Sequence, residues 1–173
     1  MVITLKVGKV YYLEEGEFEE LVKAVLERVG EGGIDAVVVA SRRGRSTLKL
    51  AEALKGAAGV VSVTEFTYDD EMKKRMKKLG IAPLERVELP IQDRRGMREG
   101  LLLLGEGVKA ALEAAVIAAG KGLAQGRVIA IAGGGRGLDT VLVVKPTPPE
   151  EMTSPDPEKR MAVLEVLALP LRE

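Results

Sequence analysis

The sequence contains no cysteine and no histidine, and only 3% of its residues are aromatic. Without cysteine there are no thiol nucleophiles, no disulfides and no thiolate-held zinc. Without histidine the commonest general base and the commonest metal ligand are both missing. Together the two absences exclude Ser-His-Asp triads, zinc hydrolases and haem sites. Hydrophobic residues nevertheless make up 46% of the chain, so its core must be aliphatic. That mix suits the near-continuous apolar strands of a sheet covered on both faces.

An excess of charge of either sign is also missing. Lys and Arg number 26 against 26 Asp and Glu, so no overall field favours nucleic acid or an anionic membrane. The apolar runs at residues 101–104 and 108–119 are interrupted by Glu106, Lys109 and Glu113, which argues against a membrane span. Residues 1–10 carry no hydrophobic stretch of signal-peptide length, and the cytoplasm is the expected compartment. The 173 residues fit one domain spanning 1–173. A chain of this size buries roughly 70% of its unfolded surface and needs no covalent or metal staple.

Strand and helix patterns alternate along the chain. Residues 10–13 read as a short strand. Phe18, Leu21, Val22, Val25, Leu26 and Val29 then follow the spacing of an amphipathic helix, which Gly30, Gly32 and Gly33 end. Residues 34–40 are apolar and rich in valine, as a buried parallel strand requires. A polar loop at 41–45 leads into a helix entered through Ser46 or Thr47, and 60–64 is the next strand. Asp69 and Asp70 open another helix, with Lys73, Lys74, Lys77 and Lys78 further along in keeping with the macrodipole. The acids Asp69, Asp70 and Glu71 read as that helix start, and no metal site is expected. Gly80 and Pro83 close the helix, 86–89 reads as a short strand, and 97–123 as one long buried helix or two abutting at Gly105 and Gly107. Strands at 128–132, 140–144 and 162–169 complete the pattern, the last as an edge or antiparallel strand. The whole predicts an α/β fold with a mainly parallel sheet and helices on both faces.

Two loops carry the residues best suited to a ligand. Ser41, Arg42, Arg43, Gly44, Arg45, Ser46 and Thr47 lie between the carboxyl end of a buried strand and a helix start. Unpaired N–H groups and the positive dipole end there make an anion site. The arginines add charge-assisted donors, Gly44 permits close backbone approach, and Ser41, Ser46 and Thr47 add hydroxyls. The plainer alternative is a solvated basic turn in which Ser46 caps the helix. The second loop runs Gly133, Gly134, Gly135, Arg136, Gly137, Leu138, Asp139, Thr140. It is neither a Walker loop nor a dinucleotide fingerprint, because no Gly-Lys-Ser/Thr follows and a strand comes next instead of a helix. Arg136 could pair with a phosphate or with Asp139, and the plainer alternative is a turn between two strands. Phe66 and Tyr68 stand just past a strand end, placed either to stack on a ring or to cover the core. Arg94, Arg95 and Arg98, mixed with Asp93 and Glu99, read as a solvated patch.

Three segments, taken in order, resemble one family: Val37-Val38-Val39-Ala40-Ser41 with Gly44 and Ser46; Gly105-Glu106-Gly107-Val108-Lys109; and Ile129-Ala130-Ile131 leading to Gly135-Arg136-Gly137-Leu138-Asp139-Thr140. The chain is similar to the small stand-alone, archaeal-type proteins that resemble the α/β C-terminal domain of pyruvate kinase. The resemblance implies a three-layer α/β/α fold around a mixed sheet whose last strand is antiparallel. It implies FMN as a cofactor, since members of that group bind it, or failing that another phosphate ligand. By position, Ser41, Gly44 and Ser46 fall on the loop that holds a sugar phosphate in pyruvate kinase, and Gly135, Arg136, Gly137, Asp139 and Thr140 fall on the second ligand loop. Arg43, Thr47 and Gly134, beside them, complete the candidate cofactor-binding set. The chain departs from these relatives in a shortened stretch at 89–100, and in Arg42 and Arg43, where relatives have hydroxyl residues.

The resulting expectation is a binding protein for a phosphorylated small molecule, with FMN the leading candidate and with no nucleic-acid or membrane partner. One alternative is a flavin-dependent or phosphate-handling enzyme, whose acid–base work would fall to Asp139, Glu65, Tyr68 or a lysine. A second is an oligomeric interaction module, because the resembled domain also mediates subunit contacts; a homo-oligomer is part of that expectation.

Overall fold

The computed structural model of the chain describes residues 5–172; residues 1–4 of the N-terminal stretch discussed above, and residue 173, lie outside the described residues. The valine- and isoleucine-rich runs become the centre of one seven-stranded sheet. Its strands are β1 (Tyr11–Leu13), β2 (Ala36–Ala40), β3 (Val60–Val63), β4 (Ala82–Leu84), β5 (Val128–Ala132), β6 (Thr140–Lys145) and β7 (Ala162–Pro170). They lie in the order β1-β7-β6-β5-β2-β3-β4. Strand β2 pairs in parallel with β3 and β5, β3 with β4, and β1 with β7, whereas β6 pairs antiparallel with both β5 and β7. The sheet is thus mixed and mostly parallel, with its antiparallel pairings among the last three strands.

The alternation of side chains along each strand sorts the core into two layers. Val37 and Val39 of β2 with Ile129 and Ile131 of β5 face α1 (Phe18–Gly30), α2 (Arg45–Leu54) and α3 (Asp70–Lys78). Val38 of β2 with Ala130 and Ala132 of β5 face α4 (Arg95–Leu102) and α5 (Glu106–Gly120). On this second side Ala111, Ala114, Ala115 and Ala118 of α5 are all buried. Small residues on both partners let the helix lie close to the sheet, since interaxial distance follows the side chains at the contact. The result is the expected three-layer α/β/α arrangement. No helix among the described residues is long and apolar enough to cross a membrane.

Three local expectations need comment. Asp69 opens α3 as read, its Oδ1 accepting from Met72 N at 2.7 Å. The strand expected at 86–89 is instead β4, at Ala82–Leu84. Pro83 reads as a helix terminator, but β4 is an edge strand, where a missing N–H leaves no ladder bond unmade. Arg86 then turns at φ +51°, and Val87 and Leu89 leave the sheet. The long helix at 97–123 divides into α4 and α5 at Gly105, whose φ of +115° no ordinary helical residue adopts.

The start of α5 is locked to the start of β6. A Cβ at Gly107 would overlap the Thr140 hydroxyl and lie 2.7 Å from Asp139 Oδ1. Gly100, on α4, has open space around it. Gly107→Ala should therefore destabilise the fold by about 1–3 kcal/mol through overpacking. Gly100→Ala should be neutral or stabilise by up to about 1 kcal/mol through helix propensity. Urea-unfolding midpoints of the two variants check both.

Candidate functional site

The strand order creates an opening. From β2 the chain moves to β3 and β4 on one side, then returns through α4 and α5 to place β5 on the other side of β2. In open α/β sheets, ligands bind outside the carboxyl ends of the strands at such a switch point. Here Val39 is level with Ile131, and Ala40 with Val63. The chain leaving β2 at Ser41, the chain leaving β3 at Thr64 and the glycine loop after β5 therefore emerge side by side. They border a cavity of about 640 Å³, within the span of roughly 300–1,000 Å³ common for small-molecule sites.

The two loops selected from sequence meet in this cavity. Ser41 and Ser46 line it from one side, and Gly134, Gly135 and Gly137 from another. A stripe on α5, formed by Lys109, Ala110, Glu113, Ala114 and Ile117, makes a third wall. Val87, Leu89, Gln92, Arg98 and Leu102 close the fourth. Phe66, 51% exposed, stands at the rim with the Arg42 guanidinium 5.3 Å from its ring centre. The stacking role weighed for Phe66 thus has an aromatic face beside the opening, whereas Tyr68 is buried.

The first loop ends in an uncapped helix start. Gly44 takes φ +85° as the residue preceding α2, and no side chain caps that helix. Ser41 Oγ accepts from Gly44 N at 3.1 Å, which closes the turn and leaves the hydroxyl hydrogen to donate elsewhere. Ser46 does not cap α2: the helix begins at Arg45, and Ser46 sits in its first turn. The Ser46 hydroxyl has no hydrogen-bond partner among the described residues, and the side chain lines the cavity. Arg43 is exposed and lies outside the lining; Gly44 also lies outside it, buried against Met72 and Met76 instead of open to a ligand as expected.

Thr47 has a different role. It is fully buried and joins a file of hydroxyls: Thr47 Oγ1 lies 2.9 Å from Ser62 Oγ, which lies 2.7 Å from Tyr68 OH. Tyr68 OH donates to the Ser41 carbonyl at 3.0 Å. With that donor committed, Ser62 must donate to Tyr68 and Thr47 to Ser62. The file ties the loop's first carbonyl to β3 from beneath. Burial pushes the Tyr68 hydroxyl up to about 12, against a lowering by the Ser62 hydrogen bond and with a further rise from the Glu85 charge.

The second loop is a hairpin between β5 and β6, so the plainer reading of its geometry holds. Gly133 is required there, because a Cβ would run into the Gly137 carbonyl. Its anion-binding groups are already answered from within the chain. Glu106 opens α5, and its Oε2 would lie 2.9 Å from a Cβ at Gly134. Asp139 lies against Gly107 and accepts from the buried Thr140 hydroxyl at 2.7 Å. Arg136 is 80% exposed and paired with Glu15 at 3.3 Å, not with Asp139. It borders an adjoining depression of about 240 Å³ beside Arg172. Neither the α2 nor the α5 start has a side-chain cap, but the first turn of α5 carries Glu106 whereas that of α2 carries no acidic residue.

Sequence reasoning missed the wall opposite. Lys109 and Glu113 were legible only as charges interrupting an apolar run, and Arg98 as part of a solvated patch. The available signal was an i,i+4 charge pair within an otherwise alanine-rich buried helix, since buried charges need partners. No protein-family model matches the chain.

The Tyr68 hydroxyl carries a pH signature. Its folded pKa is raised, so its contribution is complete below the unfolded value near 10 and is lost as pH rises through about 12. Tyr68→Phe should cost about 1–3 kcal/mol at pH 7, because Ser62 and the Ser41 carbonyl lose a partner. The stability gap between wild type and variant should narrow between pH 10 and 12. Urea unfolding of both proteins across that range measures it, the remaining groups cancelling in the difference.

Proposed function

We propose that the chain is a binding protein for a phosphate-bearing small molecule, with FMN the leading candidate. The phosphate would lie at the start of α2, against Ser41, Ser46 and the first backbone N–H groups. The flat remainder would extend along Ala110, Ala114 and Ile117, with Phe66 at the mouth. The observation that carries this reading is the single cavity of about 640 Å³ bordered by both loops at the sheet's switch point. Charge decides the orientation: Arg42 flanks the α2 end, whereas Glu106 guards the glycine-loop end and would repel a dianion.

The residues fit FMN in kind. Hydroxyls and an uncapped helix start suit its phosphate, and an apolar slot with an aromatic at the rim suits its ring system. The resemblance to the stand-alone pyruvate kinase C-terminal-like proteins supports the same choice. Bound flavin would supply its own redox chemistry.

The test is a visible absorption spectrum of protein purified without added cofactor, repeated after incubation with FMN and desalting. Wild type should retain the flavin bands. Ser46→Ala should weaken binding by about tenfold, as expected for one lost hydrogen bond to a charged group. Arg136→Ala should leave binding within about twofold, because Arg136 points away from the cavity toward Glu15. A colourless wild type that no phosphate ligand stabilises thermally would overturn the reading, since ligand at 100 times Kd adds about 2.7 kcal/mol.

A further inference from the structure

Lys109 and Glu113 stand one turn apart on α5, with Lys109 Nζ 2.8 Å from Glu113 Oε1 and side-chain exposures of 12% and 2%. An ion pair buried this deeply gives no more stability than apolar residues of similar volume. The pair's neighbours on this face, Ala110, Ala114 and Ile117, are apolar, so packing alone does not call for it.

Glu113 Oε1 lies 2.8 Å from the Lys109 ammonium as an ion pair, and Glu113 Oε2 accepts from Ile91 N at 3.0 Å. Lys109 has three N–H donors. One goes to Gln92 Oε1 at 2.6 Å, and the ammonium is ion-paired with Glu113. Its remaining donors have no other acceptor among the described residues, and Lys109 lines the cavity. The ammonium is held in place by two oxygens and keeps a donor for a third.

Charge narrows what that third oxygen can be. Glu113 neutralises Lys109, and Glu106 lies on the same helix facing the same cavity, so this wall does not attract a second anion. It offers a polarised donor to a neutral acceptor, surrounded by Ala110, Ala114 and Ile117.

We propose that Lys109 is a specificity-determining residue that donates a hydrogen bond to a ring carbonyl oxygen of the ligand, with Glu113 as its positioning partner. The ligand class is a phosphate ester carrying a flat, oxo-substituted ring. This inference rests on the phosphate site assigned to the α2 loop. That loop anchors the ligand, and Lys109 decides which anchored ligands are kept. A phosphate ester without such a ring leaves the donor unmatched and gains nothing from it.

The experiment titrates the full chain with FMN, followed by flavin fluorescence, and with ribose 5-phosphate, followed by thermal shift. The variants are Ser46→Ala and the double variant Lys109→Met with Glu113→Gln. Glutamine keeps an acceptor for Ile91 N, methionine keeps the length of the stem, and a circular-dichroism melt checks the fold. The double variant should bind FMN about 10- to 100-fold more weakly and ribose 5-phosphate within about twofold of wild type. Ser46→Ala should weaken both ligands. Should the double variant not fold, Lys109→Arg keeps the charge pair but displaces the donor, and the same selective loss of FMN is expected. Equal FMN affinity in the variants and wild type would overturn the inference, as would parallel loss of both ligands in the folded Lys109 variants. Wild type that binds ribose 5-phosphate but not FMN would overturn this inference alone. Wild type that binds neither removes the phosphate site as well.

Discussion

The constraint on which the structure depends is the divergence of the chain around β2. Its two neighbours, β3 and β5, are reached by different routes, and only parallel pairing brings all three carboxyl ends to one edge. Apolar strands such as Val37-Val38-Val39 demand cover on both faces, so α2 must lie on one side and α5 on the other. Between those two covers the edge of the sheet stays open, and the cavity follows from the topology.

Two helix starts face that edge, and the chain treats them differently. Neither start has a capping side chain, but Glu106 and Asp139 put carboxylates beside the α5 start. The first turn of α2 has no acidic residue, and its entry turn is braced by the hydroxyl file through Thr47, Ser62 and Tyr68. A braced, uncapped helix start is a pre-organised donor array, because no side chain must be displaced before an anion binds. The glycine loop contributes in another way. Its bare backbone lets the hairpin fold tightly beside Glu106 and leaves room at the cavity wall for the body of a ligand.

Much of this was legible from residue types. The alternation of valine runs with amphipathic helices determined the layers, and the loop at 41–47 stood out as a candidate through Gly44, its hydroxyls and its position after a strand. Periodicity could not assign each hydroxyl. Ser46 and Thr47 are adjacent and chemically alike, yet one lines the cavity and the other lies fully buried beneath the loop, a difference decided by a single helical step of α2. Nor could spacing reveal that Arg136 turns outward to Glu15, because Glu15 is 121 residues away in sequence. The strand at Ala82–Leu84 was hidden by Pro83, whose local meaning depends on whether the strand is central or at the edge. The charged wall of α5 was visible as pattern, but its partners Ile91 and Gln92 come from a loop with no periodicity to read.

The hydroxyl file has an optical consequence. The chain has no tryptophan and three tyrosines, so its near-ultraviolet signal is almost wholly phenolic. Tyr12 is 60% exposed, whereas Tyr68 is 3% exposed and donates to the carbonyl that begins the α2 loop. The buried phenol is thus a built-in chromophore beneath the α2 loop. A shift of that loop alters the hydrogen bond of one identifiable ring, against a background in which few other rings absorb.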